Sequence, residues 1–244
     1  MSVLTLVRHG QADFFADDYD QLTPLGEQQP RLLGEYWLRQ GVRFDEVYTG
    51  PRVRQKRSAE IVGAAFRDAG VAWPEPAMLP DLDEFDLHGI VHRIVPEYSR
   101  VNADFARLFD SYRLSQGERE RLHAFQRMFE PLLLYWQGLP ASPLPTGAAG
   151  FESWPAFRER VERAIGQIVE APGSGRRVVV FTSGGFIGNV SRWALAAPDR
   201  IALELAWRLR NASLTEFVFT QDRFTLEMFN AVPHLSDSNL WTYR

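Results

Sequence analysis

Cysteine is absent from the 244 residues. That removes disulfides, thiolate metal sites and cysteine nucleophiles together. Lysine is almost absent as well: Lys56 is the single lysine among 27 basic residues. Arginine's planar fork suits phosphate, although a GC-rich coding bias is the simpler cause of the skew. No apolar run is long; Val178–Phe181 and Leu132–Trp136 fall far short of a bilayer's width. The start, Met1 to Arg8, lacks a basic n-region and a small-residue cleavage site, so the expectation is a cytoplasmic chain without a signal peptide. Net charge is −4, which argues against a general binder of nucleic acid or anionic membrane. With 45% hydrophobic and 24% charged residues, the chain has the balance of an ordinary globular protein rather than a disordered one.

No internal repeat and no long linker interrupts it. Val3–Val7 is short and β-branched, and it stops at Arg8-His9-Gly10, the pattern of a buried central strand running into a loop. A helix is predicted over Pro24–Leu38, with Thr23 as N-cap and Pro24 at the first helical position. Glu46–Thr49 reads as a second strand, and Gly50-Pro51 opens another helix. Arg176–Thr182 is the clearest strand, feeding Ser183-Gly184-Gly185 and a helical pattern over Phe186–Leu195. Leu214–Phe219 and Phe224–Phe229 alternate as strands joined at Gln221-Asp222. Strand–helix alternation at both ends implies an α/β fold, a three-layer α/β/α sandwich around a mostly parallel central sheet. The middle, about residues 87–149, differs: Glu97–Tyr112 and Glu118–Trp136 are helical by pattern. It is expected to be a helical insertion over the active-site edge of one domain spanning 1–244. Its aromatics, among them Phe105, Phe125 and Trp136, recur at helical spacing and are expected to be core first and a cap lining second.

Ligands in open α/β sheets bind beyond the carboxyl ends of the strands. Two strands here end in Arg8-His9-Gly10 and Thr182-Ser183-Gly184-Gly185, and a third runs into the helix carrying Arg52, Arg54, Lys56 and Arg57. Two arginines, a histidine and glycine-rich backbone at helix N-termini suit a dianionic phosphoryl group.

Val7-Arg8-His9-Gly10-Gln11 resembles the signature of the histidine phosphatase superfamily, which has the phosphoglycerate-mutase-like fold. Leu22–Gln29 resembles the family's LTxxGxxQ helix start, and Tyr48–Ala59 its TSPLxRAxxTA segment. Asp81–Phe85 sits where the family carries its acid, residues 150–161 resemble GESxxxFxxRV, and Asn230–Leu235 resembles NxxxHL. The resemblance implies that His9 is the nucleophile, forming a phosphohistidine. Its other ring nitrogen would be fixed by a backbone acceptor at or near Gly10. Arg8 and Arg54 would clamp the phosphoryl oxygens together with Gly10, Ser183 and Gly184. Glu84 would protonate the leaving oxygen, with Asp81, Asp83 and Asp86 as competitors. His234 is either a supporting residue near the rim or a packing residue. No metal and no cofactor is implied, and the partner is a small phosphorylated substrate, with homo-oligomerisation left open.

One departure stands out. The family pattern has a second histidine before the Gly-Gly pair, where this chain has Ser183. Restoring a histidine there sets a gain in charge against its larger size.

Three other readings compete with the phosphatase. A sugar-phosphate mutase of the same superfamily would carry Ser-x-Trp-Asn after Arg-His-Gly, whereas Gln11-Ala12-Asp13-Phe14-Phe15 stands here. A pseudo-phosphatase that holds a phosphorylated ligand without turnover rests on Ser183. A serine hydrolase would use Ser183, Asp222 and His234 in α/β-hydrolase order, but Phe181 replaces the elbow glycine. His88 and His92, four residues apart, have metal-ligand spacing but no carboxylate partner at helical spacing.

Overall fold

A computed structural model describes residues 1–12, 20–139 and 152–243. In chain order its elements begin with β1 (Ser2–Arg8), α1 (Pro24–Arg39), β2 (Glu46–Thr49), α2 (Val53–Asp68) and β3 (Ala77–Met78). Four helices follow: α3 (Leu87–Val101), α4 (Ala103–Leu114), α5 (Glu118–Gly138) and α6 (Trp154–Val169). The chain returns through β4 (Arg177–Thr182), α7 (Gly184–Ala194), α8 (Arg200–Ala206), β5 (Leu214–Thr220) and β6 (Arg223–Ala231). Two compact units result, Met1–Glu84 with Val161–Arg244, and Phe85–Arg160.

The first unit holds one six-stranded sheet in the order β3-β2-β4-β1-β5-β6. Pairings β3–β2, β2–β4 and β4–β1 are parallel, whereas β1–β5 and β5–β6 are antiparallel. The sheet is therefore mixed, with its parallel half where the loaded loops emerge. Because side chains alternate along a strand, Val7, Val47, Val179, Phe181 and Leu214 share one face. There they pack with Leu33 and Trp37 of α1 and Ala59, Val62 and Phe66 of α2. The opposite face buries Leu4, Leu6, Val178 and Val180. Its Phe217 stacks on Phe224, which stacks on Trp193 of α7. Both faces of the central strands are covered, which is why they read as unbroken apolar runs. Each such side chain contributes about 1.5–3 kcal/mol of burial.

Thr23 caps α1 as expected, its hydroxyl accepting from Gly26 N at 2.9 Å, with Pro24 in the first turn. Helix α7 starts at Gly184, two residues ahead of the sequence reading, and α2 starts at Val53, after Gly50-Pro51 rather than on it.

In the second unit, the single helix expected over Glu97–Tyr112 is two. Asn102 breaks it: the backbone is extended there, and the side chain accepts from Phe105 N at 3.0 Å to cap α4. Asparagine's short side chain competes for backbone donors, so it favours a cap over a helix interior. The unit's aromatics are core, as helical spacing suggested. Tyr98 stacks on Phe105 and Tyr135, while Trp136 meets Phe85, Trp154 and Phe157. The expected end of the insertion, residues 140–149, lies outside the described residues.

Candidate active site

Strands β1 and β4 are parallel neighbours, so the loops after Arg8 and Thr182 leave the same end of the sheet side by side. His9 N donates to Thr182 O at 3.0 Å, joining them. The His9 ring is buried, with Nδ1 2.7 Å from the Gly10 carbonyl and Nε2 3.1 Å from Arg54 Nε. A carbonyl can only accept and a guanidinium can only donate. The proton therefore sits on Nδ1, and the Nε2 lone pair faces Arg54. Burial, then the charges of Arg54 and Arg8, hold the His9 pKa well below its ordinary value, against the opposing pull of the Gly10 bond. The ring is a neutral base at neutral pH.

Gly10 is required by close approach: a Cβ there would come within 2.0 Å of Gly26 O, and one on Gly26 within 1.9 Å of Gln11 O. The first turn of α1 thus packs backbone to backbone on the loop. Gly10 N donates to Ser58 Oγ at 3.0 Å, tying the loop to α2 as well.

A chain of polar side chains also holds the same loop. Gln11 N donates to Gln29 Oε1 at 2.9 Å, and Gln29 Nε2 donates to Thr242 Oγ1 at 2.9 Å and to Leu240 O at 2.8 Å. Thr242 Oγ1 donates to Asn211 Oδ1 at 2.9 Å, and Asn211 Nδ2 returns to His9 O at 3.2 Å. Gln29 and Asn211 are fully buried. Both ends of His9–Gln11 are therefore fixed by one polar network, and the C-terminal segment supplies its middle.

Arg54 is 3% exposed. Besides facing His9, its Nη1 pairs with Asp20 Oδ1 at 2.9 Å, while Asp20 Oδ2 accepts from Val53 N at 2.7 Å. Asp20 thus caps α2 and aims Arg54 with one carboxylate. Arg8 Nη1 donates to the Leu209 carbonyl, and a Cβ on Gly184 would lie 3.5 Å from Arg8 Nε. Arg8 therefore runs along the head of α7.

At that head, Glu84 Oε2 accepts from Gly185 N at 2.8 Å. Of the competing carboxylates, Asp83 pairs with Arg52 Nε at 2.6 Å and accepts from Glu84 N at 2.7 Å. Asp81 pairs with Arg163 at 3.1 Å, and Asp86 caps α3 through Gly89 N at 2.9 Å. Ser183 occupies the N-cap position of α7, where its Oγ accepts from Gln55 Nε2 at 2.8 Å.

The structure thus gathers Arg8, His9, Gly10, Arg54, Glu84, Ser183 and Gly184 around two adjoining loops. His234 does not join them by a bond: its ring is buried, and neither nitrogen bonds to another described residue. Its ring lies 6.4 Å from that of Tyr36. By its bonds, His234 is thus a buried packing residue among the described residues, the second of the two roles expected for it. A serine-hydrolase triad is not assembled either, since the bond to Ser183 comes from Gln55 and not from a histidine. His88 and His92 lie with ring centroids 6.3 Å apart, and among the described residues no three metal-ligating side chains converge. Sequence reasoning missed Asp20, Gln29, Gln55, Asn211 and Thr242. For Gln29 and Gln55 a signal existed: Gln29 ends the LTxxGxxQ stretch, and Gln55 stands where the TSPLxRAxxTA pattern has alanine.

A family model of the histidine phosphatase superfamily (branch 1) matches residues 4–134 and 114–232. The chain belongs to that superfamily. Solved structures share its fold. A phosphoserine phosphatase mutant from Entamoeba histolytica in complex with phosphoserine matches at TM-score 0.62 and 17% identity, over 96% of this chain and 100% of the other. The alpha-ribazole phosphatase from Shigella flexneri matches at TM-score 0.60 and 18% identity, over 94% and 96%. A mycobacterial glucosyl-3-phosphoglycerate phosphatase in complex with inorganic phosphate matches at TM-score 0.60 and 20% identity, over 96% and 99%. Comparison with curated proteins found no match.

Proposed function

We propose that this chain is a phosphomonoester hydrolase that uses no metal and works through a phosphohistidine at His9, on a small phosphorylated metabolite. The observation that carries the reading is the His9 ring. Nδ1 is tied to Gly10 O, the ring is held neutral, and the Nε2 lone pair is turned to the Arg54 guanidinium. A phosphoryl group bound by Arg54 would present phosphorus to that lone pair. In the first step Nε2 bonds to phosphorus, the bond to the leaving oxygen breaks, and Glu84 supplies that oxygen's proton. In the second, water attacks phosphorus, Glu84 takes its proton, and the N–P bond breaks to free His9. Arg8 and Arg54 stabilise the charge on the oxygens in transit.

The three solved phosphatases that share the fold favour hydrolysis over mutase chemistry. Among the described residues no helix is long and apolar enough to cross a membrane. On this reading, the helical unit is an insertion in one phosphoglycerate-mutase-like domain.

The experiment is a screen of phosphomonoesters without added metal, with His9→Ala as control, followed by rapid quenching on the best substrate. Acid-labile phosphate on the wild type but not on His9→Ala is expected. Turnover with no such intermediate overturns the mechanism, and binding without turnover returns the pseudo-phosphatase.

A further inference from the structure

The position held in the family pattern by a second histidine is Ser183 here, and a second departure from that pattern, Gln55, bonds to it. Gln55 is fully buried, and its amide is oriented without ambiguity: Oε1 accepts from Arg52 N at 3.0 Å, so Nε2 must be the donor to Ser183 Oγ at 2.8 Å. Ser183 is buried as well, and its own hydroxyl proton has no acceptor among the described residues. The hydroxyl lies beside the N-terminus of α7, whose Gly185 N–H holds Glu84. Next to Gln55 in the chain is Arg54, which faces His9. Gly50 makes the room: a Cβ there would meet Gln55 Oε1 at 2.2 Å. Against the TSPLxRAxxTA pattern, positions 50 and 55 depart from serine and alanine. With Ser183 they make three departures joined through Gln55, which packs on Gly50 and bonds to Ser183.

We infer that Gln55 is a positioning residue that acts through Ser183, and that the pair forms a neutral donor for a non-bridging phosphoryl oxygen. The Gln55 N–H holds a serine lone pair and so turns the hydroxyl proton away from the amide, leaving it to donate to a phosphoryl oxygen. A donor made this way carries no charge and does not titrate. It adds no third cation beside Arg8 and Arg54, whose charges already disfavour protonation of His9. It also settles the balance between charge and size at position 183, because an imidazole there would have to occupy the place of the Gln55 amide.

The inference rests on the phosphatase reading, and a double-mutant cycle separates the two. Wild type, Gln55→Ala, Ser183→Ala and the double variant are compared in kcat/KM on p-nitrophenyl phosphate and, by calorimetry, in Kd for inorganic phosphate. Each single variant should lose about three- to tenfold, the effect of one neutral hydrogen bond. Gln55→Ala should cost nothing more once Ser183 is alanine. An equal cost in both backgrounds overturns the pairing and leaves Gln55 as only a helix cap. Ser183→His should lose more than Ser183→Ala, and Gln55→Ala combined with Ser183→His should recover much of that loss. A single Ser183→His variant as active as wild type would also overturn it. Phosphate binding without turnover would sink the phosphatase reading while the Kd cycle still decides the pair. No phosphate binding in any variant overturns both.

Discussion

Arg54 and His9 are a buried cation and a buried base in contact, and each depends on how the other is held. Asp20 is the carboxylate that balances Arg54. Removing Asp20 takes away a carboxylate that offsets the buried Arg54 charge, so Asp20→Ala should lower unfolding stability by about 1–3 kcal/mol. Saturating inorganic phosphate should restore much of that loss, because the bound dianion gives Arg54 a new partner. Denaturant unfolding with and without phosphate checks it; equal losses in both would place the importance of Asp20 in the helix cap alone. His9 makes a prediction in pH. Its folded pKa lies well below 6.5, and the neutral ring is the reactive form. The acid limb of kcat/KM that belongs to His9 should therefore fall well below pH 6.5. A limb centred at 6.5 or above would contradict the buried, arginine-flanked ring.

At the scale of elements, the loop between β1 and α1 is held by neighbours distant in sequence. Thr242 is the joint: its hydroxyl accepts from Gln29 and donates to Asn211, and those two amides hold Gln11 N and His9 O. Thr242→Val keeps the shape and removes the hydroxyl. Two buried amide groups then lose a partner, a cost of about 1–3 kcal/mol for each. The expected result is a lower unfolding midpoint together with faster hydrogen exchange at the Gln11 amide. Unchanged exchange there would show that Leu240 O and the Ala212 N–H hold the loop unaided.

For the whole molecule, stability should depend on pH through His234. Burial lowers its pKa from 6.5 to about 4. As pH falls below 6.5 the unfolded chain takes a proton that the folded chain refuses until about pH 4. Stability is thus complete above pH 6.5 and declines across that window, by about 3 kcal/mol. His9, lowered in the same sense, adds to the slope. Melting of the wild type and of His234→Phe between pH 7 and pH 4.5 should give a visibly flatter dependence in the variant. Parallel curves would mean that His234 is solvated in solution.

Local pattern carried much of this protein. The β-branched runs ending at Arg8 and Thr182, the Thr23-Pro24 helix start and the ordered set of motifs placed His9, Arg8, Arg54, Glu84 and Ser183 by chain position alone, because those signals depend on neighbours in sequence. The break at Asn102 and the start of α7 at Gly184 were misread for the opposite reason: a cap is decided by which backbone donors lack a partner, and a helical pattern does not reveal that. What joins residues 9, 29, 211 and 242, what pairs residue 20 with 54, and what turns Gln55 onto Ser183 was decided only in the tertiary structure. Each link satisfies at least one buried polar group with a partner far along the chain, and only the folded packing brings that partner within reach.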